Sequence, residues 1–213
     1  MTVKENYFHH EPQFDWNKKR VNKLLSILGD GWIAGKKVLE VGCGHGENGK
    51  ALIAAGAQVL FTDGRELHLD FLKKEGLNTF LMDQDKEWTI EGQFDLIVHW
   101  GVLYHLDNWK QDVKCALDRA DLLCLETEIF DTDDPTFEQK KGEIDHYDQA
   151  LNRTGTVLSG KCFENYITSL GATFVRYDEE VLDSHAMVYS WKDGSRPGFT
   201  IGQRRFWMIE RKK

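Results

Sequence analysis

This chain of 213 residues contains only four cysteines and has neither a long apolar run nor a leader-like N-terminus. Its four cysteines are scattered and form no C-x-x-C pair, which argues against a disulfide framework and favours reduced, mostly buried thiols. No apolar run approaches the length of a membrane span, and residues 1–10 contain no signal-peptide core. These absences predict a cytoplasmic protein that does not cross a membrane.

The chain also contains fewer basic than acidic residues. The chain has 27 Lys and Arg residues against 35 Asp and Glu residues, which gives a formal net charge of −8. This balance argues against nucleic acid as a partner, because an extended phosphate backbone is repelled by an acidic protein. A basic patch can still exist locally, and its candidates are Arg204, Arg205, Arg211, Lys212 and Lys213. We expect a small-molecule substrate; no pattern indicates an oligomeric state.

What the chain does contain is an alternation of helical and strand-like segments, which is typical of a parallel α/β sheet. The length fits a single domain over residues 1–213. The periodicity predicts a helix over 16–28, capped by Asp15, and further helices over 46–55, 66–74, 108–117 and 161–169. It predicts strands over 37–41, 58–62, 78–82, 94–100, 121–127, 172–178 and 204–210. Residues 131–160 show no clean period, and the glycines and proline of 182–203 exclude a long helix there.

The most informative stretch is 37–46, which is a short apolar strand followed by a glycine-rich turn and a helix start. Glycines let the backbone come close to a ligand, and the free N–H groups of a helix N-terminus point at it. Glu40 sharpens the interpretation, because a carboxylate here repels a pyrophosphate but tolerates a cofactor with a positive charge. Residues 44–49 also satisfy the G-x-G-x-x-G dinucleotide pattern, although the strand is expected to end at Val41, which makes Gly42 the first glycine of the turn.

The acidic residue followed by Gly42, Cys43, Gly44 and Gly46 resembles motif I of the class I S-adenosylmethionine-dependent methyltransferases. The segment 94–106 resembles the fourth strand of that family and the loop that follows it, and the likeness extends over roughly 36–130 and 161–211. It implies a Rossmann-like sheet of seven strands, mostly parallel, with helices on both faces and a C-terminal antiparallel hairpin. It also implies S-adenosylmethionine as cofactor and S-adenosylhomocysteine as product. Residues 1–35 are then a helical lid, 131–160 a substrate-cap insertion and 182–203 a loop insertion.

Two acids at predicted strand ends are candidates for binding the nucleoside of the cofactor. Asp63 follows the second strand and can accept hydrogen bonds from both ribose hydroxyls, although an Asp-Gly turn is the plainer interpretation. Asp83 follows the third strand, where the family bonds the adenine amino group; a solvated acidic turn is the alternative, and Asp85 is a spare. The cofactor-binding set implied by the resemblance is Glu40, Gly42, Cys43, Gly44, Gly46, Asn48, Asp63, Gly64, Arg65, Asp83, Gln84, His99 and Trp100.

The loop after the fourth strand supplies the candidate catalytic residues. His105 is the best-placed general base, since an imidazole titrates near neutral pH and a hydroxyl acceptor must lose a proton. Tyr104 is a candidate for orienting the acceptor. Each has a plainer structural interpretation, as a histidine held at a helix start and a core tyrosine. Backbone carbonyls near His99 and Trp100 are expected to face the ammonium group of the cofactor.

Acceptor contacts are predicted at Glu128, at the end of the fifth strand beside Glu126, and at His146 and Tyr147 in the insertion. We expect no metal at 145–148, because adjacent residues cannot all face one ion. Tyr7 belongs to an aromatic group near the N-terminus that either covers the cofactor or anchors the first helix.

The leading hypothesis is a methyltransferase acting on an oxygen or nitrogen atom of a small molecule. An RNA-modifying enzyme is the first alternative, since residues 101–105 look like a segment of a bacterial transferase that acts on the tRNA wobble uridine. An NAD-dependent oxidoreductase and a catalytically silent binding module are the others.

Overall fold

The computed structural model describes residues 11–198 and 202–211, with side chains from Asp15 onward; Tyr7 lies outside this part of the chain. Five helices are present in it: α1 (Glu11–Leu28), α2 (Glu47–Ala54), α3 (Glu66–Lys74), α4 (Trp109–Arg119) and α5 (Gly160–Ser169). The strands are β1 (Lys37–Val41), β2 (Gln58–Asp63), β3 (Thr79–Leu81), β4 (Phe94–Trp100), β5 (Ala120–Glu128), β6 (Glu138–Gly142), β7 (Thr154–Leu158), β8 (Ala172–Arg176) and β9 (Arg204–Arg211). Short 3₁₀ turns occupy Leu103–His105 and Glu180–Leu182.

Seven strands form one sheet in the order β3-β2-β1-β4-β5-β9-β8. The first five strands are parallel, and β9 runs antiparallel to both β5 and β8. This arrangement confirms the fold class predicted from the sequence. The register pairs Val41 with Thr62 and with His99, so the residues that follow each of them reach the same edge of the sheet. Gly42, Asp63 and Trp100 therefore lie next to one another at this edge.

Apolar residues cover both faces of the sheet, as expected for central parallel strands. On one face, α4 and α5 pack with Leu39, Ile97, Trp109, Phe163 and Trp207. On the other face, α1, α2 and α3 pack with Leu24, Val38, Leu52, Phe61 and Phe206. The alternation along β9 confirms that this strand is covered on both sides. Among residues 11–198 and 202–211, no helix combines the length and apolarity that crossing a membrane requires.

One local prediction was wrong, and one pair of strands was not predicted. The first helix begins at Glu11, so Asp15 is not its cap but lies inside it and pairs with Lys19. The aperiodic segment 131–160 contains an antiparallel hairpin, in which Glu138 of β6 faces Leu158 of β7 and Gly142 faces Thr154. Every residue of β6 is exposed, so the strand carries no polar–apolar alternation that the sequence pattern could reveal.

Candidate active site

A cavity of about 620 Å³ opens at the edge of the sheet where β1, β2 and β4 end. Its volume lies within the usual range for small-molecule sites. Ligands of open α/β sheets bind outside the carboxyl ends of the strands, and this cavity is in that place. Thirteen of the predicted site residues line it: Gly42, Cys43, Gly44, Asn48, Asp63, Gly64, Arg65, Asp83, Gln84, Trp100, Tyr104, His105 and Tyr147.

The glycine turn forms one wall. Gly42 has a φ of 60°, and a Cβ there would overlap the Val102 side chain, so both the turn and the packing require glycine. Gly46, with a φ of 76°, precedes α2 and is not in the wall; a Cβ there would lie 2.9 Å from the Phe61 ring. Gly46 thus allows α2 to pack closely on the sheet. The α2 helix begins at Glu47, so Gly49 lies inside it, where a Cβ would overlap the Phe61 ring and the Glu40 carboxylate.

Glu40 supports this wall from behind. Its side chain is almost completely buried and does not reach the cavity. One carboxylate oxygen accepts a hydrogen bond from the Gly49 N–H (3.0 Å) and the other from the Asn48 side-chain amide (3.2 Å). Burial raises the pKa of Glu40 to about 7, although these hydrogen bonds oppose the rise. One of these hydrogen bonds links Glu40 to Asn48, which does line the cavity.

Asp63 organises the next wall. Its Oδ2 accepts a hydrogen bond from the Gly44 N–H (2.9 Å) and its Oδ1 from the Arg65 N–H (2.8 Å). A carboxylate has about four acceptor positions, so two remain for a ligand with two hydroxyl groups. His68 lies 3.2 Å from Oδ1, and its ring is 5.0 Å from that of His45. Burial, followed by the proximity of His68, lowers the pKa of His45 to about 4.

The part of the cavity wall that follows β3 contains a hydrogen-bond donor without a partner. The Nε2 atom of Gln84 is buried and has no hydrogen-bond partner, although the residue lines the cavity. Buried polar groups are normally paired, so this amide is suited to donate to a ligand. Asp83 accepts a hydrogen bond from the Asp85 N–H and forms an ion pair with Lys86. Asp85 is taken up by the chain itself: it accepts hydrogen bonds from the N–H groups of residues 107 and 108 and from Asn152.

The loop of the β6–β7 hairpin, residues 143–153, lies over the Asp63 end of the cavity. The Arg65 guanidinium donates hydrogen bonds to the carbonyls of His146 (3.0 Å) and Gln149 (3.1 Å). Tyr147 is in the cavity wall, whereas the His146 ring is half exposed and bonded to Asp148. The insertion therefore covers the predicted nucleoside position, and this loop is called the cap loop below.

The opposite end of the cavity is aromatic and cationic. Its wall contains Trp16, Asn17, Arg20, Tyr104, Met187 and Arg204. Arg204 donates hydrogen bonds to the Tyr104 hydroxyl (3.3 Å), Glu126 (3.3 Å) and Glu128 (3.2 Å). Arg20 donates a hydrogen bond to the other oxygen of Glu126 (3.0 Å). The two carboxylates lie behind the arginines, so Glu128 is held by Arg204 and is not itself in the wall.

His99 and Trp100 point to opposite faces of β4. The Trp100 side chain is in the cavity wall. The His99 ring is fully buried on the α4 side, where its Nε2 lies 2.6 Å from Oδ2 of Asp112, and the Trp88 indole donates a hydrogen bond to the other oxygen of Asp112. The side chain of His99 therefore takes no part in the cavity.

His105 lines the cavity and is bound to a carboxylate. Its Nδ1 lies 2.7 Å from Oε2 of Glu143, which also accepts a hydrogen bond from the Ala150 N–H (2.6 Å). Burial raises the pKa of Glu143, but the hydrogen bonds from His105 and Ala150 outweigh it and hold the pKa below its ordinary value. Among the residues with described side chains, no group of three His, Cys, Asp or Glu is arranged to hold a metal ion.

Sequence reasoning missed Glu143 and the distant wall residues, which include Arg20 of α1 and Arg204 of β9. It placed Gly46, Glu40, His99, Glu128 and His146 in the site, and none of the five is in the wall. No ligand contact is observed for any of these residues, so their functional roles stay predictions.

Comparison with known proteins identifies the family. A family described as "Methyltransferase domain" matches residues 12–160, which is more than half of the chain. A ubiquinone biosynthesis O-methyltransferase of Shewanella halifaxensis is 29% identical over 115 residues, covering 51% of this chain and 48% of that protein. The chain thus spans about half the length of this curated relative.

Solved structures share the fold at low sequence identity. The magnesium protoporphyrin IX methyltransferase of Synechocystis PCC 6803, crystallised with S-adenosylhomocysteine, has a TM-score of 0.63 at 16% identity, covering 95% of this chain and 88% of that one. An S-adenosylmethionine-dependent methyltransferase of Mesorhizobium loti has a TM-score of 0.62 at 16% identity, covering 93% and 98%. The family predicted from the sequence is confirmed: the chain belongs to the methyltransferase-domain family.

Proposed function

We propose that this protein transfers the methyl group of S-adenosylmethionine to an oxygen or nitrogen atom of a small-molecule acceptor. The observation that carries the proposal is one continuous cavity with two chemically different ends. The glycine turn, Asp63 and Gln84 surround one end, and an aromatic, arginine-lined wall surrounds the other. Family membership and the cofactors of the structurally similar proteins support the same conclusion.

The residues present fit S-adenosylmethionine. Asp63 retains acceptor positions for ribose hydroxyls, and Gln84 has an unpaired donor for the purine ring. The backbone of residues 42–44 can approach the ligand closely because of its glycines. Bound there, the cofactor supplies a methyl group already activated on a positively charged sulfur.

The chain has little covalent chemistry to perform, so positioning is its main contribution. Holding acceptor and methyl group in attack geometry is worth roughly 7–11 kcal/mol of the barrier. Tyr104 and Arg204 offer hydrogen-bond donors that orient an acceptor, and Trp16 offers an aromatic wall. His105 takes the proton of a hydroxyl acceptor, a role that favours oxygen over nitrogen as the methylated atom.

The size and charge of the site favour a small acceptor over RNA. A cavity of about 620 Å³ that also holds the cofactor leaves room for a compact molecule. The formal net charge of −8 opposes the binding of a polynucleotide.

Calorimetry tests the cofactor first. We expect the wild type to bind S-adenosylmethionine and S-adenosylhomocysteine, and Asp63→Ala to weaken binding by roughly 10- to 100-fold, because the substitution removes a buried acceptor worth about 1–3 kcal/mol. Asp70→Ala is the matched control, since it removes an exposed carboxylate of α3 that pairs with Lys73. Thermal denaturation verifies that each variant is folded. Absence of binding by the wild type refutes the proposal.

Methyl transfer is then measured with labelled cofactor on a panel of phenols, catechols and primary amines, with bulk tRNA as a separate arm. Labelling of a small molecule supports the proposal. Labelling of tRNA alone indicates an RNA-modifying enzyme instead. Cofactor binding without a labelled product in either arm of the assay favours a silent binding module.

A further inference from the structure

We propose that Glu143 is a positioning residue for His105: it holds the Nδ1–H of the imidazole, so that Nε2 is the atom that receives the acceptor's proton. This role of Glu143 rests on the proposed function. Glu143 is the residue through which the β6–β7 hairpin contributes to methyl transfer. Nothing in the sequence points to Glu143, which follows the exposed polar strand β6.

The contact is short and shielded. The Nδ1–Oε2 distance is 2.7 Å, and the side chains of Glu143 and His105 are only 1% and 15% exposed. The second oxygen of Glu143, Oε1, is buried without a hydrogen-bond partner. Burying a carboxylate with one oxygen unpaired is costly, which indicates that its placement serves something other than stability.

The hairpin is built to bring this carboxylate to the histidine. A Cβ on Gly155 of β7 would overlap the Tyr104 carbonyl oxygen and lie 3.1 Å from Cα of His105 and 2.7 Å from Oε1 of Glu143. Only glycine permits this approach of two backbones. Thr156 also donates a hydrogen bond to the Leu106 carbonyl (2.7 Å). The strand is thus fixed against the turn that carries His105.

The chemistry follows from the donors and acceptors. An ionised carboxylate only accepts, so its neutral imidazole partner carries the hydrogen on Nδ1 and has its lone pair on Nε2. The acceptor hydroxyl gives its proton to Nε2 as its oxygen forms the bond to the methyl carbon. The bond from that carbon to sulfur breaks, and its electron pair stays on sulfur, which becomes a neutral thioether. The imidazolium is stabilised by Glu143 until it releases the proton to water.

The tautomer can be observed without any acceptor. Long-range ¹H–¹⁵N correlation spectra of the full-length protein labelled at histidine, with His105 assigned from a His105→Gln variant, report which ring nitrogen is protonated. We expect the Nδ1–H form in the wild type and a shift toward Nε2–H in Glu143→Ala. Asp145→Ala removes a 65% exposed carboxylate of the same cap loop, paired with Arg153, and leaves the signal unchanged. Identical His105 signals in the wild type and Glu143→Ala overturn the proposal.

Turnover separates positioning from a purely structural role. With an acceptor from the panel above, Glu143→Gln lowers kcat by at least about tenfold and leaves the KM for S-adenosylmethionine within about twofold. Acetate or formate partly restores the kcat of Glu143→Ala. A kcat equal to that of Asp145→Ala, or the absence of any rescue by acetate or formate, refutes the role of Glu143.

The two proposals fail in different ways. A wild type that binds no S-adenosylmethionine and methylates nothing refutes the methyltransferase assignment, and the base role of His105 falls with it. A wild type that methylates, but whose kcat and His105 tautomer survive the loss of Glu143, refutes the positioning role alone.

Discussion

Replacement of the buried acid behind the glycine turn, Glu40→Gln, is expected to stabilise the protein at neutral and alkaline pH. Burial raises the pKa of Glu40 to about 7 from its ordinary value of 4.5, and no cation contacts it closely enough to reverse this. A glutamine fills nearly the same volume. Its oxygen can accept from the Gly49 N–H, and its NH₂ group can donate to Oδ1 of Asn48, a buried atom that has no partner in the wild type.

The size of this stabilisation follows from the shift in the pKa of Glu40. Between pH 4.5 and about 7 the folded state holds a proton that the unfolded state has lost, so wild-type stability falls as the pH rises through this interval. A shift of about 2.5 pKa units corresponds to roughly 3 kcal/mol at 1.36 kcal/mol per unit. Glutamine does not titrate. The free energy of unfolding of Glu40→Gln, taken relative to the wild type, should therefore rise by roughly 3 kcal/mol between pH 4.5 and pH 8.

Urea denaturation at pH 5, 6, 7 and 8, followed by circular dichroism, measures the difference directly. Glu75→Gln is the matched control, because Glu75 is 52% exposed and pairs with Lys50, an arrangement worth at most about 1 kcal/mol. A Glu40→Gln variant whose stability relative to the wild type is the same at pH 5 and pH 8 would contradict the reasoning. So would one that is less stable than the wild type at pH 8.

Two further predictions concern the packing of the site. Gly155→Ala should lower the free energy of unfolding by about 1–3 kcal/mol, seen as a lower melting temperature, because the added Cβ meets a backbone oxygen that cannot move aside. Gly142→Ala, in the same hairpin with open space around it, should have almost no effect, and equal losses in the two variants refute the close approach. Arg204→Met should cost about 3–5 kcal/mol in urea denaturation by leaving Glu128 buried without its partner. Adding Glu128→Gln should recover part of that loss, and no recovery argues against the ion pair.

The fold and the Asp63 end of the cavity were predictable because their signals are local. Gly42 ends a strand whose register is fixed by apolar residues, and Asp63 ends the neighbouring strand, so parallel pairing brings them together. His99 shows the limit of this reasoning. Side chains alternate along a strand, and a difference of one residue separates Trp100 in the cavity from His99 on the opposite face.

The arginine-lined end of the cavity was not predictable because tertiary packing assembles it from distant segments. Arg20 and Glu126 are 106 residues apart and Arg204 and Glu126 are 78 apart, yet they form one buried cluster. In the sequence these are ordinary charged residues, which are mostly found at the surface. Glu143 was unpredictable for the same reason. It is shielded from water by a hairpin whose outer strand, β6, has no polar–apolar alternation.

The cap loop is closed at its base by its own chain. The Glu143 N–H donates a hydrogen bond to the Arg153 carbonyl (2.8 Å), and the hairpin strands form a sheet separate from the seven-stranded one. We therefore expect that the length and composition of residues 144–149 can change without disturbing the register of the main sheet. If the cap loop covers the nucleoside as proposed, exchanging residues 144–149 between related proteins should alter cofactor affinity and leave Glu143 and His105 in place.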